Sequence, residues 1–209
     1  MNAKRDDFLA NCAQHARVHI VGPMLRKHPE WPSIPTIFVD GGARWQSQLP
    51  DDFHASVISV GDGDSIGDRS LDIVLNPEKD VSDLGYALGM LEGVAIEHLS
   101  LSGFLGGRRD HEWINLGEVA RFMDARRDTR ADFEDAIAIL SRGQFSLNHH
   151  GIFSLVSLKP TRITITGAVK YPLEKTTLLA AHSSHGLSNE ATGIFQVTCD
   201  RPLLCFFNA

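Results

Sequence analysis

Short apolar runs alternate with helix-like patterns over roughly the first 130 residues of the chain. Each run covers four to six residues and ends near glycine, proline or acidic residues, which is typical of buried strands. The predicted strands are Val18–Val21, Thr36–Val39, Ala55–Val60, Asp72–Leu75 and Leu99–Phe104, and the predicted helices are Asp6–His15, Ser82–Leu91 and Asp110–Arg126. This alternation predicts a layered α/β N-terminal domain with a mostly parallel sheet.

From about residue 143 the pattern becomes that of an all-β region. Ile152–Leu158 is rich in strand formers, Thr161–Thr166 alternates polar and apolar residues, and Leu203–Phe207 follows a turn that contains proline. Short strands at this spacing predict a small all-β sandwich or barrel. Residues 133–140 fit both a helix and a short strand, and we favour the strand. The expected domains are therefore 1–132 and 133–209.

Composition narrows the class of protein. The 209 residues are 43% hydrophobic and 22% charged, with a net charge of −6 and no stripe of Lys or Arg. Nucleic acid is therefore not an expected partner. The absence of a long apolar run and of a secretory leader predicts a cytoplasmic protein with no membrane partner. Three cysteines without a CxxC spacing predict reduced thiols and no zinc site.

The segment from Gly61 to Asp68 carries the most informative polar pattern. Asp62 and Asp64 stand two residues apart, separated by glycine, directly after the predicted strand Ala55–Val60. Asp-Gly pairs are also ordinary turn residues, and a calcium-binding loop lacks its later ligands here. Paired carboxylates at the carboxyl end of a strand favour a divalent cation, because unneutralised charges there are costly.

Three further loops repeat this arrangement of an acid beside a strand end or a helix start. They are Asp40-Gly41-Gly42-Ala43, Glu78-Lys79-Asp80-Val81-Ser82-Asp83 and Gly106-Gly107-Arg108-Arg109-Asp110-His111. Glycines permit close backbone approach to phosphate, and Arg108 offers bidentate phosphate contacts. Four such loops within 111 residues predict a site for a polyphosphate and a metal ion. His182 and His185 are a weaker metal candidate, because no third ligand has a suitable spacing.

The ordered set of loops resembles thiamine pyrophosphokinase. Two C-terminal segments, Val169-Lys170-Tyr171-Pro172-Leu173 and Gly186-Leu187-Ser188-Asn189-Glu190, also resemble segments of that family. The likeness extends from about residue 36 to the end of the chain. It departs from the family at Gly85, where an acid is common, and by one extra residue before Tyr171.

The resemblance implies a catalytic domain that binds ATP and magnesium, followed by a β-sandwich domain that holds thiamine. It also implies a homodimer with the site between subunits, and a reaction that moves a pyrophosphoryl group from ATP to the hydroxyl of thiamine and releases AMP. The implied metal and phosphate ligands are Asp40, Asp62, Asp64 and Asp83, and the implied polyphosphate contacts include Arg108 and Asp110. The implied thiamine contacts are Tyr171, Ser188 and Asn189.

The chemistry of pyrophosphoryl transfer adds roles for individual residues. Asp62, Asp64, Asp83 and Asp110 are the predicted catalytic acids, and either Asp83 or Asp110 would accept the proton of the acceptor hydroxyl. The remaining predicted contacts to nucleotide or acceptor are Gly41, Gly42, Ser65, Ser82 and Gly107.

Several of these positions have ordinary structural explanations. Ser82 serves equally well as a helix cap, and Tyr171 as a core residue. Ser188 and Asn189 fit a tight turn as well as a substrate contact. Lys79 and Arg109 are interpreted as surface charges.

Two alternative functions stay open from the sequence. The altered spacing before Tyr171 is compatible with another hydroxymethyl heterocycle, such as a pterin, as the acceptor. The scaffold also suits a nucleotide or thiamine sensor that lacks catalysis. The kept acidic residues favour the enzyme.

Overall fold

The computed structural model describes residues 3–26, 31–63, 70–134 and 136–207. The chain divides into two units, Met1–Glu118 and Val119–Ala209. The predicted boundary at residue 132 would cut the strand Arg130–Phe133, which pairs within the second unit. The second unit starts earlier than the prediction because helix Arg109–Asp124 contains the division.

The first unit contains a parallel sheet of short buried strands. Its strands are β1 (Arg17–Val21), β2 (Thr36–Val39), β3 (Val57–Gly61), β4 (Ile73–Val74) and β5 (His98–Ser102). Their order is β5-β1-β2-β3-β4, and every neighbouring pair is parallel. Ile20 on the central strand β1 lies opposite Ile37 and Leu101, and all three are fully buried. The predicted parallel sheet is therefore confirmed.

Helices accompany this sheet at the predicted places. They are α1 (Ala3–His15), α2 (Asp83–Met90) and α3 (Arg109–Asp124). Helix α1 packs against β1 and β3, and α2 packs against β2 and β3. Leu84, Ala87 and Leu88 on α2 are buried, as the helical stripe predicts. A 3₁₀ helix over Asp40–Gln48 was not predicted, because its run of glycine and polar residues lacks an apolar period.

The second unit is built from antiparallel strands. They are β6 (Arg130–Phe133), β7 (Ile137–Leu140), β8 (Gly143–Ser157), β9 (Thr161–Val169), β10 (Leu173–Leu179), β11 (Asn189–Cys199) and β12 (Leu203–Phe207). Their hydrogen-bonded order is β10-β9-β11-β8-β12-β7-β6. The core of this unit includes Phe153 and Phe195, whose rings stack with centroids 4.6 Å apart. The all-β character is confirmed, while closure into a sandwich or barrel stays a prediction.

Strand β8 is the longest strand in the described part of the chain, and it differs most from the sequence prediction. It covers 15 residues, pairs with β11 over residues 143–153 and pairs with β12 over residues 153–157. His149 and His150 lie inside it, opposite Gly193 and Thr192, so the chain does not turn there. Within the predicted strand at 133–140, residues Ile137–Leu140 form β7, and Phe133 is the last residue of β6, which pairs with β7.

The three cysteines are free and buried, as expected for reduced thiols. Burial raises the pKa of Cys12 and of Cys199 to about 12, so both remain protonated at neutral pH. Within the described part of the chain, no helix is long and apolar enough to cross a membrane.

Candidate active site

Two predicted site residues follow neighbouring parallel strands. Asp40 comes directly after β2 and Asp62 directly after β3, and Val39 at the end of β2 is the register partner of Val60, the last residue but one of β3. A Cβ added to Gly61 would lie 2.9 Å from the Cα of Asp40, so the two backbones are in close contact there. The carboxyl ends of parallel strands are where ligands gather in open α/β sheets. The sheet therefore brings these two acids together.

Asp40 has two unusual features. Its φ is 48°, in the left-handed region that non-glycine residues seldom adopt. Its Oδ1 atom is buried and has no hydrogen-bond partner among the residues that the structure describes. Strained backbone and unsatisfied buried polar atoms both cost free energy, and both concentrate at functional sites. The arrangement points to a ligand that the carboxylate would contact.

The glycines after Asp40 have a packing role. Gly41 and Gly42 are buried at the start of the 3₁₀ helix. A Cβ on Gly42 would collide with the carbonyl oxygen of Val21 at the end of β1. Glycine is thus required here to let the 3₁₀ helix approach β1. The contact of Gly41 and Gly42 with a ligand stays a prediction.

Lys79 connects the acid after β3 to the acid that opens α2. Its Nζ lies 3.4 Å from Asp62 Oδ2 and 3.1 Å from Asp83 Oδ1. The three side chains are only 15–20% exposed, so this is a half-buried ionic cluster. The sequence interpretation of Lys79 as a surface charge is therefore wrong. The spacing to Asp83 gave no helical signal, because Lys79 precedes the N-cap Ser82 and lies outside α2.

The charges in this cluster influence one another. Burial raises the pKa of the Asp83 carboxyl; Lys79 opposes the rise, and the nearby charges of Asp62 and Asp40 add to it. Burial alone would lower the pKa of Lys79, but hydrogen bonds and charge from Asp83 and Asp62 raise it. Lys79 is therefore fully protonated at neutral pH, and Asp83 holds its proton more readily than an ordinary aspartate.

Ser82 occupies the N-cap of α2, as one of the two sequence interpretations predicts. Its Oγ accepts a hydrogen bond from Gly85 N at 2.9 Å and donates one to Glu118 Oε2 at 2.5 Å. The other carboxylate oxygen of Glu118 is 2.8 Å from where a Cβ on Gly85 would be. The glycine thus makes room for an acid from α3. This cap fixes the first turn of α2, which carries Asp83.

The described residues fit part of a magnesium site. Asp64 and Ser65 lie outside the described residues. Among the residues that the structure describes, no group of three or more His, Cys, Asp or Glu side chains is spaced to hold a metal ion, and this includes His182 and His185. Mg²⁺ usually takes one or two protein carboxylates, with waters and phosphate oxygens as its other ligands. The buried, unpartnered Oδ1 of Asp40 is a hard oxygen donor of that kind.

The glycine-arginine loop before α3 is more exposed than the acid cluster. Arg108 donates to Asp110, with Nη2 2.5 Å from Oδ2, and the two side chains are 72% and 60% exposed. The pair holds the pKa of Asp110 below its usual range. Asp110 lies in the first turn of α3, after the helix start at Arg109. The backbone N–H groups of Gly106 and Gly107, which were expected to face phosphate, both donate to Glu112 Oε1.

The predicted acceptor residues lie together in the second unit. Tyr171 is 58% exposed in the connection between β9 and β10, so it is not a core residue. Asn189 is buried and hydrogen-bonds the backbone of Tyr171 on both sides. Ser188 adopts a left-handed φ of 57°, and its N–H donates to Ser154 Oγ at 3.1 Å. Lys170 Nζ lies 5.7 Å from the centroid of the Tyr171 ring.

Sequence comparisons give no relative for this chain: no protein-family model and no curated protein matches it. Its fold does match solved structures. Thiamin pyrophosphokinase from Geobacillus thermodenitrificans is 20% identical with a TM-score of 0.68, over 92% of this chain and 98% of that one. The thiamine pyrophosphokinase from Bacillus subtilis is 18% identical with a TM-score of 0.64, over 90% of this chain and 96% of that one.

A eukaryotic structure gives the same result. Thiamin pyrophosphokinase from Candida albicans is 13% identical with a TM-score of 0.66, over 95% of this chain and 89% of that one. At these identities the comparison shows the fold alone. The resemblance predicted from the loops is therefore confirmed at the level of fold, across nearly the whole chain.

Proposed function

We propose that this chain is a magnesium-dependent thiamine pyrophosphokinase, an ATP-dependent diphosphotransferase. The observation that carries the proposal is the half-buried cluster in which Lys79 pairs with Asp62 and Asp83 beside the charge of Asp40, in a chain with the fold of thiamine pyrophosphokinases. Transfer of a diphosphoryl group places dense negative charge beside its acceptor. A site for this reaction therefore needs acids that hold a cation and a fixed cationic side chain.

In the proposed reaction the hydroxyl oxygen of thiamine forms a bond to the β-phosphorus of ATP. The bond between that phosphorus and the oxygen bridging to the α-phosphate breaks, which releases AMP. The hydroxyl loses its proton to a carboxylate. Asp83 is the better candidate for this base, because burial and its acidic neighbours raise its pKa toward neutrality. Asp110 is the weaker one, since its exposed pair with Arg108 lowers its pKa.

Asp40 and Asp62 would hold Mg²⁺ together with Asp64, with waters and phosphate oxygens as its other ligands. When bound, Mg²⁺ supplies charge neutralisation for the phosphates. Lys79 has a distinct task. Its ammonium holds Asp62 and Asp83 close together before substrate binds, and it offers a positive charge to a phosphate oxygen.

The loop before α3 is proposed to contact the polyphosphate through Arg108. A guanidinium matches two phosphate oxygens at once, and the exposed pair with Asp110 is weak enough to exchange for a phosphate. Gly107 belongs to the same proposal. Its N–H would have to exchange Glu112 for phosphate, which makes it a weaker contact than Arg108.

Tyr171 is the proposed platform for the acceptor, with Ser188 beside it. An exposed aromatic ring can stack on the aminopyrimidine or thiazolium ring of thiamine. Lys170 already places an ammonium near this ring and pairs with Glu190 at 3.2 Å. A cationic acceptor would displace Lys170 from the ring, whereas a neutral pterin would not.

The homodimer with a site shared between subunits is part of the same proposal. Complementation tests it. An inactive Asp62→Asn protein is mixed with an inactive Tyr171→Ala protein under conditions of subunit exchange. Activity regained in the mixture supports a shared site, and an active monomer in light scattering would contradict it.

The decisive experiment follows AMP release from ATP and Mg²⁺ with thiamine or with a hydroxymethyl pterin as acceptor. AMP formed only with thiamine supports the proposal. AMP formed only with the pterin changes the acceptor, and ADP in place of AMP identifies a simple kinase. Nucleotide that is bound but never turned over would favour a sensor.

A further inference from the structure

The Asn189 side chain, at the start of β11, behaves like a piece of backbone. It is only 6% exposed. Tyr171 N donates to its Oδ1 at 3.0 Å, and its Nδ2 donates to Tyr171 O at 2.8 Å. Glu190 N also donates to Oδ1, at 2.8 Å. The amide therefore pairs with both polar backbone groups of Tyr171, as an opposing strand residue would.

This side chain acts where the regular sheet ladders fail. The register between β9 and β11 shifts between the pairs Ala191↔Val169 and Phe195↔Gly167. The register between β9 and β10 also shifts, between Leu173↔Ile165 and Thr177↔Ile163. Tyr171 lies between these irregular stretches, outside both strands. The ladders alone do not fix its backbone, so the Asn189 amide supplies the missing pair of hydrogen bonds.

The capacity of the amide is nearly exhausted by these contacts. A carboxamide has two acceptor lone pairs and two N–H donors, and three of these four are used within the protein. The residue is also buried, while the Tyr171 ring that it holds is 58% exposed. The exposed Tyr171 ring is therefore available to a ligand, and the buried Asn189 amide holds the Tyr171 backbone in place.

We propose that Asn189 is a positioning residue: it fixes the Tyr171 backbone so that the ring meets the acceptor in a set orientation, and it does not bind the acceptor. This inference rests on the proposed function, in which Tyr171 contacts the acceptor. It replaces the expectation that Asn189 itself hydrogen-bonds thiamine. Ordering Tyr171 in advance reduces the entropic cost of binding. Loss of the clamp should raise KM for the acceptor and leave KM for ATP unchanged.

The test is a double-mutant cycle between Asn189 and Tyr171. Asn189→Asp keeps both accepted hydrogen bonds and sets a carboxylate oxygen against Tyr171 O, so it opens the clamp on one side, whereas Asn189→Ala removes all three hydrogen bonds and leaves a cavity. We expect Asn189→Asp to raise KM for thiamine about 10-fold, the order for one buried hydrogen bond to the backbone. In a Tyr171→Ala background the same substitution should change KM less than about twofold. Additive effects in the double mutant would show that Asn189 contacts the acceptor directly and would overturn the inference.

A second readout needs no substrate. The peptide bond after Lys170 lies beside the clamped residue and is a site for trypsin. We expect Asn189→Asp to be cleaved there faster than the unmodified protein. Glu190→Gln is the matched control, because it removes the ion pair with Lys170 and leaves the clamp intact. Equal cleavage rates in Asn189→Asp and the unmodified protein would overturn the inference.

Failure of the wider proposal would look different. If the unmodified protein releases no AMP with any acceptor, the proposed function fails, and the cleavage experiment still decides whether Asn189 holds the loop. If the protein is active and Tyr171→Ala has no effect on KM for thiamine, the transfer reaction stands and the positioning role is overturned.

Discussion

At the carboxyl ends of β2 and β3, a buried oxygen of Asp40 has no hydrogen-bond partner among the described residues, and Asp62 and Asp83 share one lysine. At the start of β11, by contrast, the buried amide of Asn189 uses three of its four hydrogen-bonding positions within the protein. The first region is charged and incompletely satisfied. The second is neutral and closed on itself.

The difference separates two reasons for burying a polar side chain. An unsatisfied buried group costs free energy that the fold must offset, and a ligand is one explanation for why it persists. A satisfied group rigidifies the backbone that it contacts. Residues predicted from the same kind of pattern thus fall into ligand candidates and positioning residues. Four substitutions test this distinction between ligand candidates and positioning residues.

The first substitution is Asp62→Asn, in the acid cluster. We expect turnover to fall by at least about 100-fold, the scale of losing a preorganised electrostatic group. The fold should survive, because the side chains have the same shape and Lys79 keeps Asp83 as its partner. Asp80→Asn is the control, since it removes an exposed acid close to the cluster. Near-normal turnover of Asp62→Asn at limiting Mg²⁺ would contradict the assignment.

The second substitution, His19→Gln, tests whether every unsatisfied buried atom marks a ligand. His19 is 3% exposed, and its Nε2 lies 3.0 Å from Ser102 Oγ, while its Nδ1 has no hydrogen-bond partner in the described part of the chain. Burial lowers its pKa from 6.5 to about 4. We regard His19 as a core residue, and we expect its unsatisfied Nδ1 to lower the stability of the fold without binding a ligand. Its unsatisfied atom is a nitrogen that the protein keeps uncharged.

The sign of the pH effect follows from that pKa. Between pH 6.5 and 4 the unfolded chain binds the proton and the folded one does not, so stability falls as pH falls through this window. At pH 5 the loss due to His19 is about 2 kcal/mol. The difference in unfolding free energy between His19→Gln and the unmodified protein should therefore shift by that amount from pH 7 to pH 5. Parallel pH profiles in urea denaturation would contradict the assignment.

The periodic parts of the fold could be predicted from the sequence. The apolar run Thr36–Val39 coincides with β2, and the stripe on α2 is buried as expected, because burial of one face is what produces such patterns. Strand β10 was not predicted, because Glu174, Lys175 and Thr176 give it no apolar alternation. Helical spacing puts Trp113 in one stripe with Leu116, Ala120 and Met123, and these three are buried while Trp113 is 49% exposed.

The site was predictable only in its composition. The pattern identified Asp40 and Asp62 because an acid beside glycine after a strand is a local signal. It identified Asp83 as part of an acidic cluster at a helix start. The role of Lys79 depends on distances across the fold, which no local pattern contains. The same is true of Glu118, which reaches Ser82 from 36 residues further along the chain. Asn189 was predicted as a ligand contact from the family resemblance. Its hydrogen bonds to Tyr171 depend on how β9 and β11 pair, which no local pattern contains.

The third substitution, Lys79→Gln, sharpens the comparison by removing the shared cation. Lys79 holds the pKa of Asp83 down against burial and the charges of Asp62 and Asp40. Without it that pKa rises, so the acid limb of kcat/KM should move to higher pH, with an activity loss of about 10-fold at pH 7. Lys4→Gln is the matched control, because it removes an ion-paired lysine of the same unit from Asp72. An unmoved acid limb would show that Asp83 is not the base.

The fourth substitution, Asp110→Asn, has the smallest expected effect and separates the two candidate bases. Asp110 is exposed, and its pair with Arg108 lies in solvent, where ion pairs contribute little. If Asp83 is the base, Asp110→Asn should change kcat by less than about threefold. KM for ATP should fall slightly, because Arg108 is released for phosphate. The melting temperature should not change. A loss of kcat comparable to that of Asp62→Asn would instead make Asp110 the base, and an exposed, satisfied carboxylate would then carry the chemistry that we assign to the buried cluster.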